Sequence, residues 1–455
     1  VNGRVSRIAE MKVLRAHYYF ELSRLFNKIP YFDENVEISQ YPDIPNNEFT
    51  RDEILSMLAK EMLDAAEQLP ASQPEVGRIH KYIALAYAAK IKLYQAYQQD
   101  EITHAVTSIN KELLREVVSL CDQVTASNRY GLLDDFQGLD LVTNENGKES
   151  VFAIQYSMND GTESAGRINW SNLLNSPGGG SPYGGDGFFL PSQDLINAYQ
   201  TDANGLPDFN YQSKSDYSWA VLNNGVYTLQ NTTPNVDPRL DFVVGRPTIT
   251  WKTYPDKPCE GWVRDKDTYG YNCAKRFWVS PESSDMFNGW PWGASQLNWQ
   301  IIRYADILLW KAEALIELNE GNGLETARDL INQIRNRARN SAYVKDFNDH
   351  SKYAANYLVN PYPADVWNQD YARQALRWET RLEKALEGER FFDLVRWGIV
   401  ETTMNKYITA ESDNRIYYAN AHFTGGKDEY YPVPNNQYGF SGGKYVQNTG
   451  YAPFN

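Results

Sequence analysis

Three tryptophans, Trp290, Trp292 and Trp299, close the stretch 286–299, MFNGWPWGASQLNW, with Gly, Pro and Asn between them. A second stretch, 261–273 (GWVRDKDTYGYNC), sets Trp262, Tyr269 and Tyr271 beside Asp265. Segments so broken by Gly and Pro cannot stack their rings in regular layers. Trp and Tyr offer flat apolar faces with a polar edge, which suits the C–H face of a sugar ring. Asn, Asp or Arg nearby can hydrogen-bond its hydroxyls. The spacing therefore points to an exposed face built from the two loops. Trp290 and Trp292 are the expected stacking platforms, and Asn288, Asp265 and Asn298 the polar partners. Tyr31 and Tyr41, farther toward the N-terminus, could add contacts. The competing reading is that these rings only wedge an irregular subdomain onto the rest of the chain.

Covalent and metal chemistry find little support. The chain has no G-x-S-x-G, no H-E-x-x-H and no G-x-x-x-x-G-K-[ST]. Asp265-x-Asp267-x-x-Gly270 opens like a calcium loop, but Tyr269 takes the third ligand position and Arg276 stands where a bidentate Glu belongs. The densest acidic cluster, Glu383, Glu387, Glu389 and Asp393, interleaves with Arg381, Arg390 and Arg396 at helical spacings. Ion pairing fits it better than hydrolysis. No metal and no cofactor are expected.

Composition narrows the field. Of 455 residues 14% are aromatic, with 32 Tyr and 12 Trp, and eight of the Trp lie between 128 and 300. A formal charge of −14 repels phosphate backbones and argues against nucleic acid. No apolar run is long enough to cross a bilayer.

The elements that must hold the loops are helical. Ile302, Ala305, Leu308, Leu309, Ala312, Leu315 and Ile316 form one stripe, and Leu324, Ala327, Leu330, Ile331, Ile334 and Ala338 another. Asn319, Gly321, Asn322 and Gly323 break the helix between them. This hairpin has the dimensions of a tetratricopeptide-like unit. Ile8, Met11, Leu14, Tyr18, Leu22 and Leu25 predict the inner face of a first helix. Thr50-x-x-Glu53 is a capping box for a second helix with Ile54, Leu58, Met62, Ala65 and Leu69 inward. Further helices are predicted at 77–98, at 109–127 and from about 371 to 406, with a break at Gly388. The fold class is therefore mainly α: four tetratricopeptide-like helix hairpins with an inserted irregular, partly β subdomain. The expected division is 1–127 and 301–410 for the hairpins, 128–300 for the aromatic-rich insertion and 411–455 for a tail of loop and short strand. Within the insertion, Ser150–Tyr156 and Leu240–Val244 are predicted strands and Pro191–Tyr199 a helix.

Several segments together resemble the SusD/RagB family of outer-membrane nutrient-binding lipoproteins. They are LRAHYYF at 14–20, Gly77-Arg78, ESVFAIQY at 149–156, Asp237-Pro238-Arg239-Leu240 and RYADILL at 303–309. Glu387-Gly388 with RFFDL at 390–394 and Arg396-Trp397-Gly398 adds the most specific segment, and Pro432-Val433-Pro434 with Gln447-Asn448 closes the series. The resemblance implies non-catalytic binding of glycans and delivery to a SusC-like TonB-dependent transporter. It also implies the extracellular face of the outer membrane, with an N-terminal lipid anchor that this chain lacks. Peptide binding within the same import type is the alternative, and a glycoside hydrolase with an unrecognised carboxylate pair a weaker one. In such an extracellular location, Cys259 and Cys273 are expected to be bonded. The charged cluster around Glu387, Arg390, Asp393 and Arg396 is expected to be structural.

Overall fold

The computed structural model describes residues 3–162, 166–178, 180–252, 254–289 and 292–454, with the backbone alone at 254–257. Four long helices come first: α1 (Arg4–Phe26), α2 (Arg51–Gln68), α3 (Lys81–Ala96) and α4 (Lys111–Thr125). Each packs on the next in turn. α2 starts as its sequence demands, with the Thr50 side chain accepting from the Glu53 amide and Glu53 reaching back to Thr50. α3 carries apolar residues on every side, with Lys90 and Lys92 paired to Glu389 and Glu116, so it lies in the middle with almost every residue buried.

α1 is rotated only in part from expectation: Leu14, Leu22 and Leu25 are half-buried, and Leu14 and Leu22 pack on the core. Ile8, Met11 and Tyr18 are exposed, while Ala9, Val13, Ala16 and Phe20 face inward. Both sets recur at helical steps. The inner face is the one whose small Ala residues let neighbouring helices approach.

Three short helices follow: α5 (Gln193–Ala198), α6 (Arg239–Val243) and α7 (Lys266–Tyr269). α6 corrects the strand expected at 240–244. Asp237 accepts from the Arg239 amide at 3.0 Å and starts a helical turn before the chain extends. The strand at 150–156 holds as Ser150–Ile154, paired antiparallel with Trp299–Arg303. That pair ties the two ends of the middle block together. A hairpin at 220–229 turns on Asn224-Gly225, both with positive φ, as a type I′ turn requires.

The helical frame then resumes with α8 (Tyr304–Leu318) and α9 (Gly323–Asn340), joined through a left-handed Asn319. α10 (Gln369–Glu383), α11 (Arg390–Arg396) and α12 (Val400–Ser412) complete it. α8 packs directly on α4, so the frame is continuous across the insertion. The tail holds a helix at Asn435–Phe440 rather than the strand expected, and no strand among its described residues.

The frame and the middle block meet over a buried ionic hub. Arg303 donates to Glu387 at 3.0 Å, to Glu383 at 2.7 Å and to Glu149 at 3.0 Å. Arg239 bonds Asp237 at 2.7 Å and Glu379 at 2.6 Å, and Arg335 takes the other oxygen of Glu379 at 3.1 Å. Lys384 bridges Asp306 and Glu387, each at 2.6 Å. Segments far apart in the chain thus converge on one ionic node.

Candidate functional site

The floor of the site is an aromatic core within the middle block. Tyr183 leans on Trp278 with centroids 4.6 Å apart, and Trp251 meets Trp262 edge-on at 4.9 Å. Their polar edges are satisfied: Trp251 Nε1 donates to Tyr183 Oη at 2.8 Å, Tyr183 Oη to the Val279 carbonyl at 2.7 Å, and Trp278 Nε1 to the Ser176 carbonyl at 2.7 Å. Trp262, expected on the exposed face, belongs here instead and is only 5% exposed. Tyr183 and Trp251 pack against it, and with Val263 it is buried between exposed Gly261 and Arg264.

Cys259 and Cys273 also lie in this core, and they correct another expectation. Both are free thiols, fully buried and adjacent. Burial, with the second thiol as a hydrogen-bond partner, holds the Cys259 thiol well above its ordinary pKa. Away from water each acts as a small hydrophobe.

Over the core three loops converge. The Gly178 amide donates to the Trp262 carbonyl at 3.1 Å. Arg264 Nη2 donates to the Gly185 carbonyl at 3.0 Å and lies 3.7 Å from Asp186. Trp292 stands beside Gly184, where an added Cβ would meet the Trp292 Cβ at 3.5 Å. Gly293 has φ +77°, and any Cβ there would sit 2.2 Å from the Tyr183 carbonyl oxygen. Only glycine permits this approach. It fixes the backbone next to Trp292, whose ring is 58% exposed. Asn288 is exposed on the same loop. Trp290 lies outside the described residues.

The far end of the 261–273 loop carries a second aromatic group. Asp265 is exposed, and its carboxylate caps α7 by accepting from the Thr268 amide at 3.1 Å. Tyr269 packs at 5.8 Å against Tyr417, and both are about half exposed, 45% and 49%. Tyr271 meets Tyr227 edge-on at 5.5 Å. Arg415 lies against Gly270 so closely that a Cβ there would come 2.0 Å from its Nη2. Tyr417 and its neighbour Tyr418 were not expected in the site. Their signal in the sequence is an adjacent Tyr pair in a polar, loop-type tail.

Other expected residues lie elsewhere. Trp299 is half-buried on Phe277 at 4.4 Å, at the start of the strand that pairs with Ser150–Ile154. Asn298 is buried and structural, accepting from the Tyr156 amide at 2.7 Å and donating to Gln155 at 3.1 Å. Tyr31 packs on Tyr19 at 4.9 Å and Tyr41 stacks on Phe32 at 4.1 Å. Their loop is tied to the tail through Asn46 and Val446, at 2.8 Å and 3.0 Å. It makes a surface of its own.

The acidic cluster is committed to ion pairs. Glu389 takes Arg24 at 2.7 Å and Lys90 at 3.1 Å, and Asp393 takes Arg396 at 3.0 Å. Arg390 is the exception: it donates only to the Arg377 carbonyl, at 3.4 Å, and its guanidinium lies 5.8 Å from the Trp397 ring. Among the described residues no group of three or more His, Cys, Asp or Glu could hold a metal ion. What the surface offers is therefore stacking and hydrogen bonding.

Comparison with known proteins places this architecture. The model of the SusD family matches residues 148–451. A SusD-like protein of Bacteroides ovatus is 22% identical over 414 residues, covering 87% of this chain and 59% of that protein. SusD-like protein P2 of Formosa agariphila is 25% identical over 393 residues, covering 85% of this chain and 64% of that protein. The chain thus spans less than two thirds of either curated relative. The crystal structure of a SusD-like protein from Bacteroides fragilis superposes with TM-score 0.66 at 22% identity, over 99% of this chain and 80% of that one. Surface glycan-binding protein A from Bacteroides thetaiotaomicron, solved with laminarihexaose, gives TM-score 0.61 at 18% identity, over 98% and 79%. The family match covers most of the chain and includes the hub residues Glu149, Asp237, Arg239, Arg303, Glu383 and Glu387, and the chain belongs to the SusD family.

Proposed function

We propose that this protein binds glycans on the outer face of an outer membrane without cleaving them, and delivers them to a TonB-dependent transporter. The observation that carries the reading is the exposed Trp292 ring, held between Gly184 and the Gly293–Tyr183 contact over a rigid aromatic core. A platform fixed in this way loses little entropy on binding. Asn288, Asp265 and Tyr269 extend it along the two loops, and Tyr417 adds a further ring. In this reading 128–300 is the recognition block, 1–127 and 301–410 are the frame, and 411–455 closes against both. A lipid anchor upstream of the chain would hold the protein at the membrane. Two relatives support the ligand class: a laminarin-binding SusD-like protein of the same fold and the laminarihexaose complex.

Calorimetric titration with laminarin, starch, xylan and pectin oligosaccharides tests the reading. Saturable binding of at least one glycan, with no new reducing ends after prolonged incubation, supports it. Failure of every glycan together with tight binding of a peptide library would replace it.

A further inference from the structure

Twelve lysines and arginines are buried among the described residues, and all but Lys275 have a carboxylate within 4.0 Å. Lys275 is 1% exposed. Its ammonium donates to the Asp241 carbonyl at 2.6 Å and the Thr250 carbonyl at 3.0 Å. The nearest acid to act on it, Asp241, is already engaged by Arg246 at 2.8 Å. The Trp251 ring, 6.0 Å away, gives weak compensation. Among the described residues one of the three ammonium hydrogens thus has no partner, and no carboxylate lies within ion-pair distance of the charge.

Lys275 lines a cavity of about 410 Å³, within the size range of small-molecule sites. Lys252 lines it as well, with Asp140 at 2.8 Å, and Asp140 is shared with Arg276 at 3.1 Å. Asp140 is thus taken by Lys252 and Arg276, while Lys275 has no carboxylate within 4.0 Å among the described residues. Ser280 also contributes to the lining, and its buried hydroxyl has no hydrogen-bond partner among the described residues. Phe136, Phe242 and Val279 supply apolar walls, while Gln137, Ser283 and Asp285 supply polar ones. Of the charged groups in the lining, Lys275 and Asp140 are buried, Lys252 and Asp285 half-buried and Glu282 exposed.

We propose that this cavity is a second ligand site, for a carboxylate of monosaccharide size with hydroxyl groups, a hexuronate. Its carboxylate supplies the counter-charge for Lys275 and accepts from the Ser280 hydroxyl. Its ring packs against the phenylalanines, and its hydroxyls meet Gln137, Ser283 and Asp285. The site is separate from the aromatic surface and does not depend on it.

The test is calorimetric titration of the whole chain with sodium glucuronate, glucose and N-acetylleucine. Glucuronate is expected to bind at least tenfold more tightly than glucose. Ser280→Ala should weaken it several-fold with an unchanged melting temperature, because that hydroxyl has no partner to lose in the protein alone. Val142→Phe, which fills the cavity from another wall, should abolish it while leaving polysaccharide binding at Trp292 intact. Equal binding of glucuronate and glucose overturns the proposal. So does glucuronate binding that is unchanged in a folded Ser280→Ala or Val142→Phe protein. N-acetylleucine binding as tightly as glucuronate would assign the cavity to a peptide carboxylate and overturn the sugar-acid reading.

Discussion

Arg303 opens α8 and Glu383 closes α10, and their side chains meet at 2.7 Å inside the hub with neither reaching solvent. Arg303 also serves Glu387 and Glu149, so its loss would take one cation from each of three buried carboxylates and leave them to Lys384, Arg276, Arg337 and Arg239. Removing one partner of such a pair costs about 3–5 kcal/mol. Arg303→Met is expected to lower the unfolding free energy by that amount in urea denaturation. Arg303→Lys should recover little, because an ammonium cannot reproduce the guanidinium fork. A loss below about 1 kcal/mol, the level of an exposed pair, would mean the hub adds nothing to stability.

Acid should dissolve the same hub. Burial raises the pKa of Glu383, but Arg337, Arg303 and Arg239 outweigh it and hold the value at about 2. The folded value thus lies below the unfolded one of about 4.5. The stabilisation is complete above pH 4.5 and is lost as pH falls toward 2, on the order of 3 kcal/mol for this group. A Glu383→Gln protein should be less stable than the parent at pH 7, and the gap should narrow toward pH 2.5. A gap that stayed constant with pH would count against a charged Glu383.

Glu411 should behave in the opposite sense. Burial, reinforced by the charge of Asp194, raises its pKa to about 7 despite a hydrogen bond from the Asp194 amide, and Oε2 has no partner. Its folded value lies above the unfolded one. The stabilisation is therefore full below pH 4.5 and is lost as pH rises through 7. Glu411→Gln is expected to raise the melting temperature at pH 8.5 and to leave it nearly unchanged at pH 5. The comparison fails if the two pH values give the same shift.

Trp292→Ala is expected to weaken glycan binding by about 1–3 kcal/mol, as loss of an aromatic anchor does elsewhere, without lowering the melting temperature. Gly293→Ala tests the support: with no room for a Cβ beside the Tyr183 carbonyl, the loop must shift. Binding should then fall although Trp292 is present. Normal binding by the Trp292→Ala protein would move the site to Tyr269 and Tyr417.

Cys259 and Cys273 are sealed away from reagents. In protein kept free of reductant, native thiols should resist alkylation, and all three cysteines should react in denaturant. One reactive thiol in denaturant, rather than three, would show that Cys259 and Cys273 are bonded.

Local rules made parts of this fold legible. The Thr50–Glu53 capping box, the α8 and α9 stripes and the left-handed Asn319 follow from nearest-neighbour physics, and the chain obeys them. The inner face of α1 is legible only in part, in Leu14 and Leu22, because two of its faces carry apolar residues at helical spacing and only its neighbours decide which is more deeply buried. Asn224-Gly225 was a strong hairpin signal that went unused. In the site, the composition of the two loops pointed toward Trp292, but it could not tell Trp262 from Trp292. That difference depends on the 177–187 loop and Trp251 lying against Trp262, contacts that no local pattern encodes. The hub residues were visible as motifs, whereas their partners stand too far away in the chain to be read from spacing.

The strand pair Ser150–Ile154 and Trp299–Arg303 has a consequence for how this architecture can vary. It clasps the chain on either side of residues 155–298, so the middle block leaves the frame and returns to it at one place. Closing a loop whose ends are already fixed costs about 0.6 kcal/mol more for each doubling of its length. Insertions and deletions beyond the clasp are therefore thermodynamically mild, provided each block packs its own aromatic core. One helical chassis can accept recognition blocks of very different size and shape, and ligand preference can diverge while the frame beneath stays the same.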